Sequence, residues 1–96
     1  MRRGSEERAA AGPTDAELVA QVRGGRSEAY EVLVARYQGH VYGLAYSLVD
    51  NWADAQDIAQ DAFIRAYMNL DQLQAPERFA AWLRRVTFSV TINWVR

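Results

Sequence analysis

Asp54-Ala-Gln-Asp-Ile-Ala-Gln-Asp-Ala-Phe-Ile-Arg-Ala66 is the stretch on which the fold turns. Its apolar residues, Ala55, Ile58, Ala59, Ala62, Phe63 and Ala66, recur at spacings of three and four that continue to Leu70, the period of an amphipathic α-helix. The alanines on that side allow another helix to approach closely. The opposite side carries Asp54, Asp57, Gln60, Asp61, Ile64 and Arg65, with the three carboxylates at i, i+3 and i+7 on one stripe. Solvation alone would account for such a stripe, and so would docking of a cationic partner.

Upstream, the Asp50-Asn51 turn caps this helix and ends the one before it. That helix opens near Ser27 and places Tyr30, Leu33, Val34, Tyr37, Val41, Leu44, Ala45 and Leu48 on a stripe about 27 Å long. Gly39 and Gly43 interrupt its composition, weaken it by up to ~1 kcal/mol each and are expected at a bend or a close helix contact. Earlier still, Thr14-x-x-Glu17 is a capping box that starts a first helix with Leu18, Val19 and Val22 on its apolar side, and Gly24-Gly25 stops it. Residues 1–13 are charged and Ala-rich without apolar periodicity and read as a flexible tail. Downstream, Asp71 to Ala75 reads as a polar connection, and Pro76 suits the first turn of a last helix bearing Phe79, Trp82, Leu83, Val86 and Val90. From Val86 the run V-T-F-S-V-T-I-N-W alternates as a strand would. A lone strand among three helices has no partner for its backbone groups, so helix is expected there too. The expectation is an all-α, compact four-helix domain over residues 14–96.

With 96 residues there is room for one core, and a composition 50% apolar and 11% aromatic supplies it. The absence of Cys excludes a disulfide scaffold, a thiolate metal site and a Cys nucleophile. The one histidine, His40, lies off the main stripe and reads as a surface residue. No nucleophile stands at a persuasive spacing from a base, so no catalytic residue, metal or cofactor is expected. The longest uncharged run, the thirteen residues Tyr37 to Val49, is short of the ~20 that span a bilayer, so no membrane insertion is expected. The opening MRRGSEERAAAGP lacks the apolar segment of a secretory signal, which makes the cytoplasm the expected compartment. All eleven basic residues are Arg, and the net charge of −1 conceals a division. Residues 14–60 carry three Arg against seven acids, whereas residues 61–96 carry five Arg against three. Two partners of opposite charge would suit that asymmetry, as would a solvated mixed surface.

The Asp54–Ala66 segment resembles the D-A-E-D-[LI]-x-Q-[ED]-x-F-[LI]-[RK]-A signature of extracytoplasmic-function sigma factors. Phe79-x-x-Trp82-Leu83 resembles their F-x-x-W-L, and Gly25-Arg-Ser-Glu-Ala-Tyr and Arg36-Tyr37 stand at the family's usual positions. The resemblance covers residues 15–96. It implies sigma region 2, a four-helix domain that binds RNA polymerase and recognises and opens the promoter −10 element. It also implies a region 2 unit without the C-terminal domain that reads the −35 element. The last helix departs from the pattern. Thr87-Phe88-Ser89 and Asn93 stand where the family often has A-R-N and an Asp four residues beyond, so the polar contacts of that Arg and Asp do not carry over.

The resemblance places the β′ clamp coiled coil of the RNA polymerase core on the third helix, at Asp54, Asp57, Gln60, Asp61 and Ile64. Carboxylates accept Arg bidentately and Ile64 adds apolar area beside them, although Asp54 is equally placed to favour the helix N-terminus. On the last helix, 100° steps set Arg84, Arg85, Phe88, Ile92 and Val95 outward, with Arg96 following. Arg beside an exposed aromatic suits phosphates and unpaired bases, here the non-template strand of the −10 element in promoter DNA. The same ridge would suit an anti-sigma factor or the missing domain. Trp82 falls on the core side, where packing competes with base stacking. The resemblance implies that the Asp71 to Arg78 loop captures a flipped base, with Gln72, Gln74, Glu77 and Arg78 able to read its edge. The alternative to the whole reading is a helical protein-interaction domain without DNA contact.

Overall fold

The computed structural model describes residues 12–95, so the expected tail falls largely outside the described residues, as does Arg96. Helix α1 spans Asp15–Arg23, α2 Glu28–Val49, α3 Trp52–Met68 and α4 Phe79–Trp94. Two 3-10 turns, Leu70–Gln72 and Pro76–Arg78, join α3 to α4. Among the described residues there is no strand, and no helix is long and apolar enough to cross a membrane.

Local chemistry explains the boundaries. The Thr14 hydroxyl accepts from the Glu17 N–H at 3.1 Å while the Glu17 carboxylate accepts from the Thr14 N–H at 2.8 Å, so the capping box starts α1 as expected. Asp50 ends α2 in the left-handed region at φ 52°, a conformation that Asp tolerates better than most side chains. Asn51 then caps α3, its Oδ1 accepting from the Asp54 N–H at 2.9 Å.

Helices α2, α3 and α4 pack on one another around Leu33, Val41, Ala45, Ile58, Phe79 and Leu83, and α1 closes the core with Leu18 and Val19. Ala55, Ala62 and Ala66 of α3 are fully buried, and Ala59 is partly so. Their small side chains permit close approach of the neighbouring helices α2 and α4. Asp15 holds α1 to α2 by an ion pair with Arg36 at 2.9 Å and a hydrogen bond donated by the Tyr37 hydroxyl.

Four expectations are corrected in detail. Leu48 keeps the register of the α2 stripe yet is exposed, because past Ala45 it is the next residue, Val49, that packs against the core. Gly39 and Gly43 mark no close contact: both are exposed, and a Cβ on either would meet open space. Pro76 opens a 3-10 turn, with α4 itself starting at Phe79, and Leu70 is buried in the other turn after α3 has ended. The Asp71 to Ala75 connection is not wholly polar, since Leu73 is buried beside Leu70.

The strand-like run is helical through Trp94. Its alternation contains two helical pairs, Val86 with Val90 and Thr87 with Thr91, on the side that faces the core. Thr87 and Thr91 are buried, and each hydroxyl donates to the carbonyl four residues earlier, at 2.9 Å to Leu83 and 2.8 Å to Thr87. Intrahelical bonds of this kind remove the cost of burying a hydroxyl and make Thr serviceable in a helix core.

Candidate interaction surfaces

The outward side of α3 divides in two. Asp57, Gln60 and Ile64 line a groove of 1020 Å³ between α2 and α3, whereas Asp54 and Asp61 lie off it. Asp54 is partly buried at the first turn, and Asp61 accepts from Arg65 Nε at 3.2 Å across one turn of the same helix. The expected stripe is therefore real as a face, but its carboxylates are not equivalent: Asp57 is exposed beside the groove, and Asp61 already has a cation.

The other wall of the groove was not legible from α3 alone. Helix α2 contributes Tyr30, Val34 and Tyr42, and Trp52 stands at the mouth, 64% exposed. Tyr42 and Trp52 meet edge to face at 5.1 Å, and Tyr42 stacks near Tyr46 at 6.2 Å. The Tyr42 hydroxyl has no hydrogen-bond partner among the described residues, and burial followed by the neighbouring Tyr46 raises its pKa above the ordinary tyrosine value. Glu31 joins Asp57 in the lining, and among the described residues no cation does. This is an apolar, acidic-edged trough with one unsatisfied hydroxyl, suited to a helical partner that carries Arg or Lys beside apolar residues.

On α4, Arg84 and Arg85 are exposed, and neither forms an ion pair among the described residues. Phe88, Ile92 and Val95 stand outward with them, 40%, 52% and 64% exposed. Trp94, which carries no sequence signal of its own, is exposed at the end of the helix. Trp82 is partly buried against the core with its ring 6.1 Å from that of Phe79, on the core side as expected. Arg84 also edges a smaller cleft of 360 Å³ between α2 and α4, where the exposed His40 lies with Tyr37 and Leu44.

The loop between α3 and α4 exposes Gln72, Gln74, Glu77 and Arg78 while Leu70 and Leu73 anchor it in the core. Gln72 Nε2 donates to Asn69 Oδ1 at 3.2 Å. From α1, Arg23 Nη2 donates to the carbonyl oxygen of Leu70 at 2.7 Å and to that of Leu73. Sequence reasoning missed Arg23. Its signal, a basic residue in the last turn of a helix, ordinarily reads as an answer to that helix's own carbonyls. Among the described residues no cluster of metal-ligating side chains occurs.

Comparison with known proteins agrees with this geometry. The family model of Sigma-70 region 2 matches residues 33–96. The ECF RNA polymerase sigma factor SigW of Bacillus subtilis is 38% identical over 78 residues, 81% of this chain and 42% of that protein. The ECF RNA polymerase sigma-E factor of Escherichia coli is 37% identical over 82 residues, 85% of this chain and 42% of that protein. The chain thus spans about two fifths of the length of these relatives. A solved structure, an engineered region 2 of sigmaE in complex with GTAAAA, is similar with a TM-score of 0.80 and 36% identity, covering 86% of each chain. With the signature on α3, the four-helix arrangement and these matches in agreement, the chain belongs to the sigma-70 region 2 family, among the extracytoplasmic-function sigma factors.

Proposed function

We propose that this domain serves transcription initiation by docking on the β′ clamp coiled coil of the RNA polymerase core and holding the non-template strand of the promoter −10 element. The observation that carries the reading is the separation of two unlike surfaces. An acidic-edged apolar groove lies between α2 and α3, and an Arg-flanked aromatic ridge lies on α4. Asp57 beside Ile64 and Trp52 offers a clamp helix one carboxylate for an Arg and a hydrophobic bed for its apolar face. Arg84 and Arg85 hold phosphates, Phe88 gives a base a stacking surface, and Ile92 extends the apolar ridge. Gln72, Gln74 and Arg78 face a base lifted from the strand. The solved relative's complex with GTAAAA supports a nucleic-acid role for the domain. The work is done in the cytoplasm, where polymerase and promoter meet.

A clamp fragment and a single-stranded −10 oligonucleotide test the two halves separately. Asp57→Arg should weaken the clamp fragment by ~2 to 5 kcal/mol, as removal of one member of a desolvated charge pair does. Asp61→Arg should cost less, because Asp61 is shared with Arg65. Unchanged clamp affinity in a folded Asp57→Arg domain refutes the docking half. Binding of an anti-sigma factor to the α4 ridge, without any binding of single strands, replaces the nucleic-acid half with the protein-interaction alternative.

A further inference from the structure

We propose that Arg23, at the end of α1, is a positioning residue that holds the Asp71–Arg78 loop in the shape that receives an unstacked base. The proposal rests on the base-capturing role of that loop given above. The Arg23 guanidinium reaches across the fold to two carbonyls, 47 and 50 residues further along the chain. These carbonyls belong to Leu70 and Leu73, the two buried anchors between which Asp71 and Gln72 are displayed to solvent.

The backbone hydrogen bonds that shape the loop are local: Gln72 N–H to Asn69 O, Leu73 N–H to Leu70 O, Arg78 N–H to Ala75 O and Phe79 N–H to Pro76 O. Among the described residues, Arg23 is the only side chain from an element distant in sequence that hydrogen-bonds this segment. Arg23 forms no ion pair there with a carboxylate, so the main-chain oxygens are its polar partners. A planar guanidinium fixes the geometry of the groups it bridges, which a lysine ammonium, as a point charge, does not. A loop held before the strand arrives loses less freedom on binding, so the clasp acts on affinity without touching the nucleic acid.

The test compares the wild-type chain with Arg23→Met, which keeps the apolar stem, and Arg23→Lys, which keeps the charge. Fluorescence anisotropy is read with the strand GTAAAA and with six versions of it, each abasic at one position; clamp-fragment binding and amide exchange are followed in parallel. Arg23→Met should bind the intact strand about tenfold more weakly. The abasic position that matters to the wild type should cease to matter, and exchange should quicken at Gln72 and Leu73. Clamp-fragment affinity and exchange in α3 should stay as in the wild type. Arg23→Lys should recover only part of the loss. Retained strand affinity and abasic sensitivity in Arg23→Met would overturn the proposal while leaving the loop's role intact. Parallel loss of clamp binding would also overturn it, in favour of general loosening. A wild-type chain with no abasic-sensitive position refutes the loop reading itself, and the proposal falls with it.

Discussion

Tyr37 shows how one side chain couples the fold to solution conditions. Its hydroxyl donates to the Asp15 carboxylate, which also pairs with Arg36, so α1 is held to α2 by one shared acceptor. Burial first, and then the hydrogen bond and negative charge of Asp15, push the Tyr37 pKa from 10.0 up to about 12 against the smaller opposing effect of Arg36. The folded state therefore keeps a proton that the unfolded chain releases near 10.0. The linked stability is complete below that pH and is lost as pH rises toward about 12. Tyr37→Phe should lose ~1 kcal/mol at neutral pH, where the hydrogen bond is intact. Its urea midpoint should then fall less steeply than that of the wild type across the alkaline interval; parallel curves would dissociate Tyr37 from the alkaline loss. The glycines of α2 offer a second test at this scale. Gly43 is exposed in a helix interior, and a methyl group added there would have nothing within 4 Å, so Gly43→Ala should raise stability by ~0.5 to 1 kcal/mol. Gly39→Ala should gain similarly in thermal melts, but Gly39 lines the groove, and there the methyl should also weaken the clamp fragment.

Among the elements, α3 depends most on its start. Asn51 satisfies the Asp54 N–H, and Asp50 before it supplies the left-handed turn that lets α2 reverse into α3. Asn51→Ala should cost ~1 kcal/mol, seen as a melting temperature lower by about 4 to 8 °C for a domain of this size. A change of less than a degree would mean that tertiary packing, not the cap, sets the start of the helix. This turn was legible in the sequence because capping is a local event within four residues. The inward face of α3 was legible for a similar reason, since an unbroken helix projects its spacing directly onto its buried side. The end of α2 was less so: Leu48 has the right phase, but burial there depends on whether another element reaches it. In α4 the β-branched alternation pointed the wrong way until tertiary consistency was applied. What periodicity by itself could not supply was the role of Thr87 and Thr91, polar by type yet buried and bonded within their own helix. The loop was misjudged as wholly polar because Leu73 acquires its significance from Leu70 and from Arg23, partners that no local window contains.

At the scale of the whole molecule, the division of charge along the chain becomes a division in space, with carboxylates beside the α2–α3 groove and arginines on α4. The groove itself was hidden from sequence because Tyr42 and Ile64 belong to different helices, whereas the α4 ridge could be read from one helix alone. If the two surfaces act independently, Asp57→Arg and Phe88→Ala should each affect one ligand, and their effects on any shared measurement should add. The nucleic-acid role proposed for the α4 ridge carries the last prediction. The two phosphate contacts proposed for Arg84 and Arg85 would give a log-log salt slope of only about −1.4 on a single strand, or about −2.1 with a third from Arg96. Affinity should accordingly be modest, with stacking deciding how much remains at high salt. An unstacked base costs a few kcal/mol to extract from duplex but little from a strand already single, so single strands should bind more tightly than duplex of the same sequence. Phe88→Ala should lose ~1 to 3 kcal/mol on single strands without changing the salt slope, because a ring releases no counterions. The Arg84→Ala, Arg85→Ala pair should instead flatten the slope. Equal binding of duplex and single strands, or a Phe88→Ala effect confined to a protein partner, would identify the ridge as a protein contact and leave the α2–α3 groove as the one surface still proposed for initiation.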